Sequence, residues 1–200
     1  MSETAYISID GNANATMVVN NGGILTMGPN TLIKGVGDFD LAGGASLSIG
    51  SADGITSGTT VSGNIQNTGG TRSFGTASNY SYAGTAAQVT GNGFPTNLTG
   101  TLTINNSSGV TLSTARTIST GSLNLTSGNL ITTSTNLLTI GTAGTTTGAS
   151  SSSFVNGPLA QTIAATGPTA KTFPIGKGTA YRLVDLTITQ DAATSTIYTA

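Results

Sequence analysis

Apolar and polar residues alternate in short runs: Tyr6-Ile7-Ser8-Ile9, Ile24-Leu25-Thr26-Met27, Ser46-Leu47-Ser48-Ile49, Thr101-Leu102-Thr103-Ile104, Ser122-Leu123-Asn124-Leu125 and Leu137-Leu138-Thr139-Ile140. A period of two turns one side of each run toward a core and the other toward water, so each run predicts a short strand. No apolar stripe with a 3.6-residue period can be followed for three turns, and the intervening Thr, Ser, Asn and Gly are poor helix formers. The runs are separated by Asn20-Asn21-Gly22-Gly23, Gly43-Gly44, Asp53-Gly54, Ser108-Gly109 and Ser127-Gly128-Asn129, which favour sharp turns. The expected plan is strand, corner, strand, corner.

The runs also repeat. Residues 21–28 match residues 43–50, with Leu25 aligned to Leu47 and Gly28 to Gly50. Thr99-Gly100-Thr101-Leu102-Thr103-Ile104 matches Thr120-Gly121-Ser122-Leu123-Asn124-Leu125, and Ile118 aligns with Leu138 as a continuation. A repeat of about 20–22 residues holding two or three strands is one coil of a parallel β-helix. The predicted fold is all-β: a parallel β-helix, or β-solenoid, over residues 1–150. Leu25, Met27, Leu47, Ile49, Leu102, Ile104, Leu123 and Leu125 form its inner column, with Ser, Thr and Asn outside.

Composition then becomes intelligible. Only 6% of the residues are charged, against roughly 25% in ordinary soluble domains. Like charges stacked on successive rungs would repel, so neutral hydroxyls and amides suit the outer ladder. The chain lacks His, Cys and Trp, which excludes Ser-His-Asp and Cys-His nucleophilic sites, thiolate or imidazole metal sites and disulfides. A net charge of -1 supplies no basic face for nucleic acid. No apolar run approaches the length needed to insert into a membrane, and residues 1–5 carry no export leader.

Beyond residue 150 the texture changes. Residues 145–153 are Thr- and Ser-rich and are expected to form a flexible bridge. Residues 151–200 hold three of the five prolines and three of the six cations, together with the longer alternating run Arg182-Leu183-Val184-Asp185-Leu186-Thr187-Ile188-Thr189. This segment is expected to begin a β-sandwich-like module, cut before completion, or to cap the rod.

Several stretches carry a resemblance: Asn20-Asn21-Gly22-Gly23-Ile24-Leu25-Thr26-Met27-Gly28, residues 63–74, residues 79–91 and Phe173-Pro174-Ile175-Gly176. They resemble the repetitive β-helical stalks of large surface adhesins of Bacteroidetes-type bacteria. The resemblance implies export by the type IX secretion route and an extracellular or cell-surface location. The chain would then be a fragment of a longer protein, since neither the signal peptide nor the sorting domain of such proteins is present in it.

Few residues invite chemistry. Asp38 and Asp40 flank Phe39 on one side of a predicted strand, where a carboxylate pair suits Ca²⁺ or the acid and base of a polysaccharide-cleaving enzyme. The plainer reading is a solvated outer face over a buried Phe39. Tyr80 and Tyr82 share a strand face and suit stacking on sugar rings, or packing on a neighbouring loop. Gly176-Lys177-Gly178-Thr179 lacks the earlier glycine of a phosphate loop, since Lys171 stands there. Thr101-x-Thr103 suits an ice-binding ladder, but becomes Ser122-x-Asn124 one coil later.

The expectation is therefore a non-enzymatic structural or adhesive segment without catalytic residues or cofactor. Its partners would be glycans or other surface material, with end-to-end self-association through uncovered strand edges. A carbohydrate-binding or carbohydrate-active β-helix is the alternative, and an ice-binding protein the third.

Overall fold

Alternation decides the fold locally, and stacking decides it globally. The computed structural model of the chain describes residues 6–10, 15–191 and 193–200. Residues 1–5, read above for an export leader, lie outside the described residues. Every regular element among the described residues is a strand.

The first coil contains β1 (Tyr6–Ile9), β2 (Thr16–Val19) and β3 (Ile24–Thr26), and the second β4 (Leu32–Gly35), β5 (Asp38–Leu41) and β6 (Ser46–Ile49). The third holds β7 (Arg72–Phe74), β8 (Asn79–Tyr82) and β9 (Gln88–Val89). Then follow β10 (Asn97–Leu98), β11 (Thr101–Asn105) and β12 (Val110–Thr111); β13 (Arg116–Ile118), β14 (Ser122–Ser127) and β15 (Leu130–Ile131); and β16 (Leu138–Ile140), β17 (Thr145–Thr147) and β18 (Val155–Asn156). The chain closes with β19 (Leu159–Ile163), β20 (Thr166–Lys177), β21 (Ala180–Asp191) and β22 (Thr196–Thr199).

Equivalent strands of successive coils pair in parallel, which makes the molecule a β-solenoid. One sheet, β3-β6-β8-β11-β14-β17, forms a spine of six rungs, about 24 Å along the rod at ordinary strand spacing. A second face stacks β9-β12-β15-β18-β20, and a third β10-β13-β16-β19. The first coils add the β1-β4 pair and the β2-β5-β7 sheet.

The repeats read from the sequence fall into register as expected at two places, Leu25 beside Leu47 and Thr101 beside Ser122. The third alignment differs. Ile118 pairs with Ile140, and Leu138 instead follows Arg116. A slip of two residues preserves the inward parity of the strand, so the local pattern cannot distinguish the two registers. The spacing is also uneven: 22 residues separate Leu25 from Leu47 and Tyr80 from Leu102, but 33 separate Leu47 from Tyr80. The longer coil carries an extra loop around residues 56–65.

The inner column is largely aliphatic. Leu47, Ile49, Leu102, Ile104, Leu123 and Leu125 are all buried, whereas Leu25, in the first coil, is only partly covered. Corners leave backbone groups that no strand ladder reaches, and buried side-chain amides take them up. Asn64 Oδ1 accepts from the Gly50 and Ser51 N–H groups at 3.1 and 2.9 Å. Its Nδ2 donates to the Gly28 and Thr31 carbonyls at 2.9 and 2.8 Å. Gln88 Nε2 donates to the Ile49 and Ser51 carbonyls, while its Oε1 accepts from Gly84 N–H and from Asn106 Nδ2. The outer ladder also suits amides, but these three turn inward, where the donor and acceptor ends of each reach both the N–H and the carbonyl groups that a corner leaves unpaired.

The Ser-rich stretch expected as a flexible bridge is a built corner instead. Thr145–Thr147 pairs with β14, and Ser153 Oγ donates to the Gly128 carbonyl at 2.7 Å. Stacking crosses residue 150 without interruption, through β18 on β15, β19 on β16, and Ile175–Gly176 of β20 on Val155–Asn156. Antiparallel pairing then takes over, β21 on β20 and β22 on β19, so the last coil meets strands of reversed direction. Tyr181 of the hairpin packs on Phe154, ring centroids 5.6 Å apart.

Close stacking also dictates glycine at particular corners. Gly128 has φ +70°, and a Cβ there would collide with the Asn106 carbonyl of the coil below. Gly22 has φ +78°, but a Cβ there would meet nothing within 4 Å. Gly22→Ala should therefore lose only the left-handed backbone penalty, about 1 kcal/mol. Gly128→Ala should lose clearly more, at least about 2 kcal/mol, because the stacked coil must also move. Urea unfolding of the two variants reads the difference, and equal losses would contradict the stacking account.

Candidate functional site

The broadest outward surface belongs to the spine sheet. Its strands present two columns of side chains, Ile24, Ser46, Asn79, Thr101, Ser122 and Thr145 in one, and Thr26, Ser48, Ser81, Thr103, Asn124 and Thr147 in the other. None of these twelve is charged. Rungs are about 4.8 Å apart, and the columns about 6.6 Å apart, by ordinary strand geometry. Between Ile24 and Thr103 the surface dips into a groove of about 420 Å³, lined by Ser46, Ser48, Asn79, Ser81 and Thr101 among others.

Two hydrogen bonds organise the groove. Asn79 Oδ1 accepts from Thr101 N–H at 3.0 Å, and its Nδ2 donates to Ser46 Oγ at 3.4 Å. The hydroxyls of Ser48, Ser81 and Thr103 have no hydrogen-bond partner among the described residues, so consecutive rungs offer free donor-acceptor groups in one column. Ile24 stands at the end of the groove and is 77% exposed.

Tyr80 and Tyr82 share a strand face, as read from the sequence, but it is the inner face. Tyr80 is 1% exposed and Tyr82 0%, both against the Phe94 ring, with centroids 5.3 and 6.0 Å away in edge-on geometry. Their hydroxyls donate to the Gly75 and Thr90 carbonyls, each at 2.7 Å. Neither ring has a face open to a sugar. They occupy the positions of Leu47 and Ile49 in the coil below, so the stack and not the local alternation fixes which way they point.

Asp38 and Asp40 lie on the outward side of β5, and Phe39 between them is fully buried. Asp38 Oδ1 accepts from Thr71 N–H at 2.6 Å and from Thr71 Oγ1 at 2.9 Å, which ties it to the corner of the coil above. Asp40 is stacked between Val18 and Ser73. Lys34, the nearest cation in the sequence, sits on a different sheet with its Nζ over the Tyr6 ring at 5.8 Å. Among the described residues no group of three or more His, Cys, Asp or Glu gathers to hold a metal ion. Of Gly176-Lys177-Gly178-Thr179, the first two residues end β20 and the last two make the turn of the β20-β21 hairpin, with Gly178 N–H donating to Asn156 Oδ1.

A residue the sequence analysis passed over proves informative. Arg72 takes the register position of the buried Phe39, an inward place for a cation. Its guanidinium turns into the extra loop, donating to Thr56 Oγ1 and to the Ile65, Gly58 and Thr60 carbonyls. Burial pulls its pKa below the usual arginine value. Aligning residues 72–74 with residues 39–41 at the longer spacing would have exposed the anomaly.

Compared with protein-family models, curated proteins and solved structures, the chain matches none.

Burial pushes the Tyr82 phenol well above its ordinary value near 10, helped by its neighbour Tyr80, and burial pushes Tyr80 up as well. Above about pH 10 the unfolded chain loses phenolic protons that the folded rod retains, so stability falls as pH rises through the unfolded value. Tyr80→Phe/Tyr82→Phe should flatten the decline of melting temperature between about pH 9.5 and 11. An unchanged slope would mean that these phenols do not govern alkaline unfolding. Removing the clasp with Arg72→Ala should destabilise the region by about 2 kcal/mol, given hydrogen bonds from a charged donor. Hydrogen exchange should quicken at residues 56–65 and leave the spine of β11 and β14 protected; uniform loss of protection would contradict a local clasp.

Proposed function

We propose that the chain is a non-enzymatic structural and adhesive segment of a secreted or cell-surface bacterial protein, which holds a surface away from its anchor and makes weak repeated contacts with glycans. The observation that carries this reading is the spine face, where six stacked rungs present uncharged hydroxyl and amide groups. A stacked rod holds its length rigidly, because each coil is hydrogen-bonded to the next, and its regular surface repeats a contact many times, so weak individual contacts add through effective concentration. The type IX export route and the likeness to Bacteroidetes-type adhesin stalks belong to this proposal, supported by the motifs quoted from the sequence and by the solenoid form. Extracellular placement follows from it.

Beads coated with the chain should be retained under flow on glycan-coated glass, and retention should be the same with Asp38→Ala/Asp40→Ala and in the presence of EDTA. Neither chain should release reducing sugar from polysaccharides. Reducing sugar produced by the wild-type chain and lost in the double variant would overturn the non-enzymatic reading in favour of a carbohydrate-active β-helix. Absence of retention on every glycan surface would overturn the adhesive one.

A further inference from the structure

We infer that the groove on the spine sheet, from Ile24 to Thr103, is a binding site for a neutral, unbranched glycan chain lying along the rod axis. This rests on the adhesive reading above and gives it a site and a ligand class.

Charge is the first argument. A groove with no formal charge offers nothing to offset desolvation of a carboxylate, phosphate or ammonium, so an ionic ligand loses more water than it gains in contacts. An apolar ligand fits no better, since Leu47 and Tyr80 at its floor are each 1% exposed and only Ile24 offers an open apolar flank. A polyol matches both features. Each hydroxyl of Ser48, Ser81 and Thr103 both donates and accepts, as does each hydroxyl of a sugar, and the exposed flank of Ile24 can cover the C–H face of a pyranose ring.

Geometry is the second. The three free hydroxyls lie in one column on successive rungs, repeating every ~4.8 Å along the rod. A polymer with its own regular repeat can engage them in series only if it runs across the strands. The second N–H of Asn79 remains beside that track, because its amide oxygen is held by Thr101 N–H. The volume, about 420 Å³, lies in the range of small-molecule pockets, roughly 300–1,000 Å³. Concavity also separates this ligand from ice, which needs a flat face. The serines at two of the three rungs lack the methyl groups that a threonine ladder would hold against a lattice. With both tyrosines inside the core, no aromatic platform adds to the contact, so each site should bind weakly, with Kd on the order of 1 mM.

The test is an NMR titration of the ¹⁵N-labelled chain with hexasaccharides of glucose, mannose and xylose, and with hexagalacturonate as the charged counterpart. Shift changes should map to β3, β6, β8 and β11 with at least one neutral hexasaccharide and be absent with the charged one. Ser48→Ala/Ser81→Ala/Thr103→Val removes the hydroxyls without changing strand propensity much, and Ser81→Lys fills the groove by a different route. Each should weaken binding at least about tenfold while amide spectra away from the face stay unchanged. No shift change at about 10 mM of any neutral hexasaccharide would overturn the proposal, as would binding that neither variant weakens. Neutral-glycan binding mapped to another face would overturn the groove assignment and leave the adhesive reading standing; failure of bead retention on all glycans would remove that reading itself. Crystal shaping in freezing droplets that vanishes in the triple variant would reassign the face to ice.

Discussion

Every coil of this rod must pass its backbone hydrogen bonds along the axis to the coil above, and the rest of the structure follows from that requirement. Parallel pairing leaves no freedom to shift one strand without shifting its whole rung, so bulky corners are forbidden where coils approach. Gly128 shows the consequence, held at positive φ with no room for a Cβ above the Asn106 carbonyl. Where the ladder is interrupted at corners, the polar groups it abandons are still buried and still need partners. Asn64, Gln88 and Asn106 supply them from inside the rod, at positions where a simple apolar column would have left carbonyls and N–H groups unmet.

The same requirement shapes both the ends and the exterior. At the C-terminal end, β21 and β22 pair antiparallel with β20 and β19, so two of the stacked sheets finish on strands of reversed direction. At the N-terminal end, Met17 and Leu25 occupy inward positions yet are only partly covered. Outside, a charge on one rung faces its neighbour at the strand spacing, and the spine face accordingly carries none. The neutral hydroxyl groove that we propose as a glycan site is thus a by-product of stacking.

The extra loop of the long coil illustrates how a solenoid accommodates an insertion. The loop leaves the stack between β6 and β7, and Arg72, placed where Phe39 fills the core below, reaches out to bind its carbonyls. An aliphatic residue at that position would pack the core better but leave the loop without an anchor. The guanidinium is pulled down by burial and has hydrogen-bond acceptors in the loop, which makes the site a structural clasp.

Strand positions, inward and outward parity and the coil repeat were legible in the sequence, because they depend on alternation and on glycine-marked corners that are local properties. Leu25 beside Leu47 and Thr101 beside Ser122 could be paired from residue types alone. What the sequence left open were relations between coils. Ile118 could be matched to Leu138 or to Ile140 with the same parity, and only the third-face stack selects the second. Tyr80 and Tyr82 share one face whichever way β8 is turned, and stacking on Leu47 and Ile49 decides that this face is the core. The candidate groove was visible only as scattered Ser, Thr and Asn, because its residues come from strands up to 79 positions apart, Ile24 to Thr103, and are brought side by side by the coil spacing. The sequence by itself determined a stacked β-rod with a neutral exterior, since a period of two and a repeat of about 22 residues admit little else. The tertiary structure alone decided which polar residues turn inward and which hydroxyls line up, since both depend on what lies in the coils above and below.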